Sequence, residues 1–201
     1  MTATAISHTR LYSYLVTRHT GRTVRTNIEA ELARFEDGVG VLAVLDLEHV
    51  ELIDFSCADE VVAKLVTGPR ATGLSRRFFL FRGISERHAE PIDSALTRQG
   101  LTAAAETVDG DPVVMGQIDP EFERAWRALW TLGRAEPPGL ARHLSLTLDV
   151  TVALLDGLDS RGLVIRDGDR YTSFGRALAD APLDGRAGSA GSAGSVGGRS
   201  G

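Results

Sequence analysis

The sequence predicts an α/β fold over roughly its first 118 residues, followed by a small helical domain that ends in a hairpin. Three observations lead there. Apolar runs of strand length alternate with helical stripes up to Ile118, the pattern of an α/β layer. After Asp119 the alternation stops and helix follows helix. From Gly185 the chain turns to Gly, Ser and Ala repeats with no apolar residue larger than Val196, a composition expected to stay disordered. The expected organisation is an α/β domain over 1–118, a second domain over 119–183, and a disordered tail over 184–201. The two domains are expected to fold separately.

The elements follow in order. Residues 8–18 carry Leu11, Tyr12, Tyr14, Leu15 and Val16, rich in strand formers. Residues 23–35 place Val24, Ile28, Leu32 and Phe35 on one helical stripe, ended by Glu36-Asp37-Gly38. Residues 39–47 are almost continuously apolar and predict a strand buried on both faces. Residues 50–55 run on to a turn, and 56–65 predict a helix with Val61, Val62 and Leu65 inward, closed by Gly68-Pro69. A second buried strand is expected at 77–81 and a helix over 85–99, ended by Gly100. Two short strands, 101–108 and 112–118, flank the turn Asp109-Gly110-Asp111. Residues 119–133 then predict a helix with Phe122, Trp126, Leu129 and Trp130 on one side, broken by Pro137-Pro138. Two more helical segments, a hairpin over 163–174 around Asp167-Gly168-Asp169, and a closing helix over 175–179 complete the pattern.

Composition excludes several function classes. Hydrophobic residues make up 43% of the 201, enough for a true core. No apolar run is long enough to span a bilayer, and Met1 to His8 lacks the basic-then-apolar order of a signal peptide. A single cysteine, Cys57, allows neither an internal disulfide nor a multi-cysteine zinc site. A cytoplasmic location with no membrane partner is the expectation. The net charge of −5 argues against general nucleic-acid binding, which needs a basic face. Neither G-x-G-x-x-G nor G-x-x-x-x-G-K-[ST] occurs, so nothing supports a nucleotide site. The five histidines have no metal-ligand spacing, and no cofactor or metal is expected.

The most informative stretch of the first half is Leu45-Asp46-Leu47-Glu48-His49-Val50-Glu51-Leu52-Ile53-Asp54-Phe55-Ser56. It resembles the core motif of STAS domains, the fold of bacterial anti-sigma factor antagonists. There a strand reading hydrophobic-Asp-Leu leads through Val-x-x-Ile-Asp-Ser-Ser into a helix. The resemblance covers about residues 8–118 and is best over 41–66. A divergent STAS-like branch, whose helix opens with Ser-x-Ala-Asp-Glu, is closer still, matching Ser56-Cys57-Ala58-Asp59-Glu60. The resemblance implies a STAS-like mixed sheet with helices. It also implies a partner, a kinase-like ATPase or anti-sigma-like factor, and a phospho-switch on Ser56. Asp54 matches the Asp before that serine, while Phe55 and Cys57 depart from the usual Ser and Gly. Asp54, Ser56, Cys57 and Asp59 are therefore the candidate partner-binding or switch residues.

A plainer reading makes Ser56 the helix N-cap, with Asp59 three residues on completing a capping-box-like pair. A catalytic reading of Ser56 or Cys57 lacks a base, because nothing in the sequence brings His49 to either. The chain is expected not to be an enzyme.

In the second half, Leu140 to Val164 resembles the helix-turn-helix of winged-helix regulators without a gap. Ala141 and Leu144 would pack the first helix, and Ser145 to Thr147 would form the turn. Thr151, Leu154, Leu155 and Leu158 would form the buried stripe of the second helix, with Leu163-Val164-Ile165 opening the wing. The outward positions are then Asp149, Val152, Ala153, Asp156, Gly157 and Ser160. None is Arg, Lys, Asn or Gln, the side chains that read bases and phosphates. Residues 119–180 hold ten acidic residues against eight arginines, a net of −2. Arg142, His143, Arg166 and Arg170 remain as candidate contacts to a DNA backbone. The expected function is non-enzymatic regulation by protein–protein interaction, the winged helix serving homodimerisation or a second partner. The alternative is a DNA-binding transcription regulator with a STAS-like sensor domain.

Overall fold

The computed structural model of the chain describes residues 4–35, 38–67 and 76–181. The expected disordered tail and the turn Gly68-Pro69 lie outside the described residues.

The first unit is an α/β layer. Its strands are β1 (Thr4–Leu15), β2 (Gly40–Ile53), β3 (Arg77–Ile84), β4 (Thr102–Thr107) and β5 (Pro112–Gly116). They lie in the order β1-β2-β3-β4-β5, the first four parallel and β5 antiparallel to β4. The connecting helices are α1 (Arg18–Leu32), the run α2 (Phe55–Ala58), π-helical segment (Asp59–Ala63) and α3 (Lys64–Thr67), and α4 (Glu86–Thr97). Strands added always on the same side, through crossovers of one hand, bring successive helices onto one face of a sheet. Here Ile28, Leu32, Val61, Leu65, Ile92 and Leu96 from those helices pack on Val41, Ala43, Leu45, Phe79 and Phe81.

The alternate residues of the same strands, Leu42, Val44, Phe78, Leu80 and Ala104, face the other way. They pack into the second unit: α5 (Pro120–Leu132), β6 (Arg134–Ala135), α6 (Pro137–Leu144), α7 (Leu148–Ser160), β7 (Ile165–Asp167), β8 (Arg170–Thr172) and α8 (Phe174–Asp180). Trp126 is buried at the centre and donates its indole N–H to the Leu163 carbonyl at 3.2 Å. Phe78 meets Phe174 edge-on at 5.8 Å, and Arg76 reaches Asp159 of α7 at 2.6 Å. The boundary read at residue 118 falls in the link between β5 and α5, yet one apolar cluster runs across it.

Several element ends differ from the sequence reading, each for a local reason. α1 begins a turn earlier, at Arg18, because Thr17 accepts a bond from the Thr20 amide. That first turn, Arg18-His19-Thr20-Gly21-Arg22, has no apolar periodicity to announce it. The two pieces expected at 39–47 and 50–55 form one strand, since β1 pairs with β2 as far as Leu15 and Ile53. The exposed Glu48 and His49 sit at a bulge in that ladder. The helix of the aromatic stripe stops at Gly133, and Pro137-Pro138 open α6 as its first two residues. The pair β6–β8, which adds a third strand to the β7–β8 hairpin, had no sequence signal in the two residues Arg134-Ala135.

Cutting the chain at residue 118 should uncover the second face of the sheet. The fragment 1–118 is expected to bind a hydrophobic dye and to unfold without a cooperative transition, while the whole chain unfolds in one. Trp126→Ala in the whole chain should cost about 3–5 kcal/mol, read from denaturant unfolding.

Candidate functional site

The candidate site lies where β2 ends and α2 begins. The apolar side chain of Ile53 is the last rung of the sheet, and the Asp54 amide donates to the Leu15 carbonyl at 3.0 Å. Asp54 is extended, with φ −90° and ψ 166°, which frees its carboxylate to turn back on the helix. One oxygen accepts from the Cys57 amide at 2.7 Å and the other from the Thr17 amide at 3.1 Å.

Asp54 is therefore the N-cap, and the expectation of Ser56 in that role is corrected. Asp54 wins because its longer acceptor arm satisfies two orphan amides at once, those of α2 and of the link into α1. Ser56 is the second residue of the helix and is half-buried. Its hydroxyl forms no hydrogen bond in the described structure. Asp59 completes no capping box either. Its carboxylate accepts from Arg18 Nη1 at 2.8 Å and from Gln99 Nε2 at 2.7 Å, tying α1 to the residue beyond α4.

Cys57 is fully buried, so its assignment to a partner-binding surface is also corrected. Burial, then the neighbouring Asp54 and Glu60 carboxylates, push its thiol up to about 11. At neutral pH it is a protonated, small apolar side chain. His49 stands against the Tyr12 ring at 5.6 Å on the exposed side of β1 and β2.

The site contains a buried ion cluster that sequence reasoning missed. Glu60, in the π-helical segment, has no solvent exposure. Its carboxylate meets Lys64 Nζ at 2.5 Å, Arg18 Nη1 at 3.0 Å and Arg25 Nη2 at 3.5 Å. Asp59 and Glu29 share Arg18 and Arg25, so three carboxylates face three cations. Burial alone would push the Glu60 carboxyl up, but the bonds from Lys64 and Arg18 outweigh it and hold it below its ordinary value. The available signal was a charge at a core position: Glu60 follows Cys57 by three residues and precedes Lys64 by four, on the face that Val61 and Leu65 bury.

Helix α1 reaches this cluster through Gly21. A Cβ on Gly21 would lie 2.8 Å from Glu60 Cβ and 3.0 Å from Cys57 Sγ. At the mouth of that contact Thr17 has φ 75° and ψ 142°, which a β-branched residue adopts only under constraint. The constraint is the Asp54 carboxylate on its amide. The strain is worth about 1–3 kcal/mol. Two hydrogen bonds link it to the helix that carries Ser56: from the Thr17 amide to Asp54, and from the Cys57 amide to Asp54.

In the second unit, Thr151, Leu154, Leu155 and Leu158 of α7 are buried, with Ala141 and Leu144 of α6 beneath them. Asp149, Ala153, Asp156 and Ser160 are exposed, and Val152 and Gly157 half-buried. Asp156 is not a bare acidic site, since it accepts from Arg166 Nη1 at 2.9 Å and from the Tyr171 hydroxyl at 2.8 Å. Arg170 pairs with Glu136 at 3.3 Å. Arg142 and His143 are exposed in the last turn of α6. Among the described residues, no helix is long and apolar enough to cross a membrane, and no group of three His, Cys, Asp or Glu side chains is placed to hold a metal ion. No protein-family model matches the chain, and no curated protein matches it.

The Glu60 cluster gives stability a defined pH dependence. A carboxylate held below its ordinary value contributes stability above about pH 4.3 and loses it as pH falls through the lowered value. The melting temperature of the wild type should therefore fall as the pH drops below about 4.3. Glu60→Gln leaves three cations around a neutral amide. It should lose about 3 kcal/mol or more at pH 7, and its melting temperature should depend less on pH in the acid range.

Proposed function

We propose that this chain is a non-enzymatic regulatory protein acting through protein–protein contacts, a STAS-like switch module coupled to a winged helix. The observation that carries the reading is the freedom of Ser56. Asp54 has taken over the capping role, so the serine hydroxyl stands half-buried in the first turn with no structural duty. The parallel strand β2 ends at Ile53 and leads through the N-cap Asp54 to this serine in the first turn of the next helix, which supports the STAS-like reading. The partner that the resemblance implies is a kinase-like ATPase or an anti-sigma-like factor.

Phosphorylation at Ser56 would act through Asp54. A phosphate adds nearly two negative charges and three acceptor oxygens at the helix start. It would compete with the Asp54 carboxylate for the free amides of the first turn and repel it. Any loosening of Asp54 releases the amide of Thr17, where backbone strain is stored. The start of α1 and the start of α2 would respond together.

The order α6, α7, β7, β8 supports a winged helix, with α7 in the place of a recognition helix. Its outer face weighs against nucleic acid. Asp149 and Asp156 are exposed there, and the two wing arginines, Arg166 and Arg170, are engaged by Asp156 and Glu136. We assign this face to protein contacts, in a homodimer or with a second partner, in a cytoplasmic protein.

Two measurements test the reading. The partner captured from native lysate by the wild type is identified, then titrated against wild type, Ser56→Ala and Ser56→Asp. Ser56→Ala should keep wild-type stability within about 0.5 kcal/mol and bind as wild type, whereas Asp54→Ala should lose about 1 kcal/mol or more as the true cap. Ser56→Asp should bind at least about tenfold more weakly with stability unchanged. Equal affinity in all three serine forms removes the switch. In a separate titration, random duplex DNA should bind weakly at low salt and not at moderate salt. Tight binding with a steep salt slope would replace this reading with that of a DNA-binding regulator.

A further inference from the structure

A groove lies on the first unit apart from Ser56 and shares no residue with its surroundings. An open groove of about 880 Å³ runs between α4 and the β4–β5 hairpin. That volume lies within the range of sites that seat small ligands or side chains. Its apolar part is formed by Ile84, Ala89, Val113 and Met115. Ile84 and Met115 belong to the core, so the groove opens directly onto well-packed apolar surface. Val108, at the hairpin turn, is 57% exposed and extends that surface outward.

The rim is acidic. Glu86, Glu90 and Asp93 project from α4 and Asp109 from the hairpin turn. Asp93 accepts the Gly116 amide at 2.8 Å. Glu86, Glu90 and Asp109 are exposed and have no ion-pair partner among the described residues. This contrasts with the carboxylates of Glu60, Asp156, Asp159 and Asp180, each of which faces an arginine. The one cation on the rim, Arg87, turns away to donate to the Glu51 carbonyl at 3.3 Å. Ser85, which lines the groove, is the N-cap of α4 and faces His88 in a capping box.

We propose that this groove docks a cationic peptide segment of a partner protein, with one apolar side chain seated between Ile84, Ala89, Val113 and Met115. Lys or Arg residues on either side of the anchor meet Glu86, Glu90 and Asp109. The division of labour is the usual one: burial of the anchor supplies affinity, and the hydrated rim charges supply rate and selection against acidic or nucleic-acid ligands.

The test uses the full chain and fluorescein-labelled peptides followed by anisotropy at low and moderate salt. One peptide is Lys-rich with a central Leu, the second has Ser in place of that Leu, and the third is its Glu-rich counterpart. The Lys/Leu peptide should bind and weaken with salt, the Ser peptide should bind at least about tenfold more weakly, and the Glu-rich peptide should not bind. The triple variant Glu86→Gln, Glu90→Gln, Asp109→Asn should lose at least about tenfold in affinity. The control pair Glu121→Gln, Asp169→Asn, which removes exposed carboxylates elsewhere, should lose little. Ala89→Trp leaves the charges in place and fills the groove, and should also abolish binding. Unfolding curves accompany each variant. Absence of binding by the Lys/Leu peptide would overturn the proposal. So would equal binding of the Ser peptide, equal loss in the control pair, or full binding by a folded Ala89→Trp.

Discussion

The structure depends on one constraint: a parallel sheet has to be covered on both faces. Strands β2 and β3 are apolar at every step, from Val41 to Leu45 and from Phe78 to Phe81, so neither face can meet water. The helices of the α/β layer cover one face only, because the strands are added in a single direction. The other face is covered by Trp126, Leu129, Leu140, Leu155 and Phe174. The second unit is thus part of the first unit's core. Side chains of β2 and β3 and those of α5 and α7 belong to one apolar cluster.

At the ends of the strands a single carboxylate organises the candidate site. Asp54 accepts from the starts of both neighbouring helices, and in doing so fixes Thr17 in a conformation it would not hold alone. Behind it, Glu60 is buried among Arg18, Arg25 and Lys64 at distances that allow direct bonds. Removing water from such a set is costly, and the cost is recovered only while every partner is present. The bare Cα of Gly21 is the backbone feature that lets α1 approach closely enough to complete it. The site is therefore bonded throughout where it is buried, and Ser56 takes no part in those bonds.

Electrostatics divide the surface in a similar way. In the second unit the arginines of the hairpin are spent on Asp156 and Glu136, which ties β7 and β8 to α7 and to the start of α6. Around α4 the carboxylates are left open. Three of the chain's exposed, unpaired carboxylates, Glu86, Glu90 and Asp109, thus stand beside an apolar groove.

The sequence by itself determined the α/β class, the identity of nearly every element, and the buried stripe of α7. These follow from periodicity, which is local: side chains one face apart in a strand or helix are a fixed number of residues apart. It also marked the stretch from Asp54 to Asp59 as unusual. Only the tertiary structure decided which of those residues does what. Asp54 rather than Ser56 became the cap because the Thr17 amide, thirty-seven residues away in the chain, needed the same carboxylate. Cys57 went inside because Gly21 of α1 leaves no room between the helices. Glu60 could be charged in the core because Arg18 and Arg25 arrive from another helix. Those partners are distant in sequence, and no pattern within a single segment specifies them. Packing of the sheet's second face brought the two units into one apolar cluster for the same reason: contact across a sheet is set in space, while periodicity records only that a face is apolar.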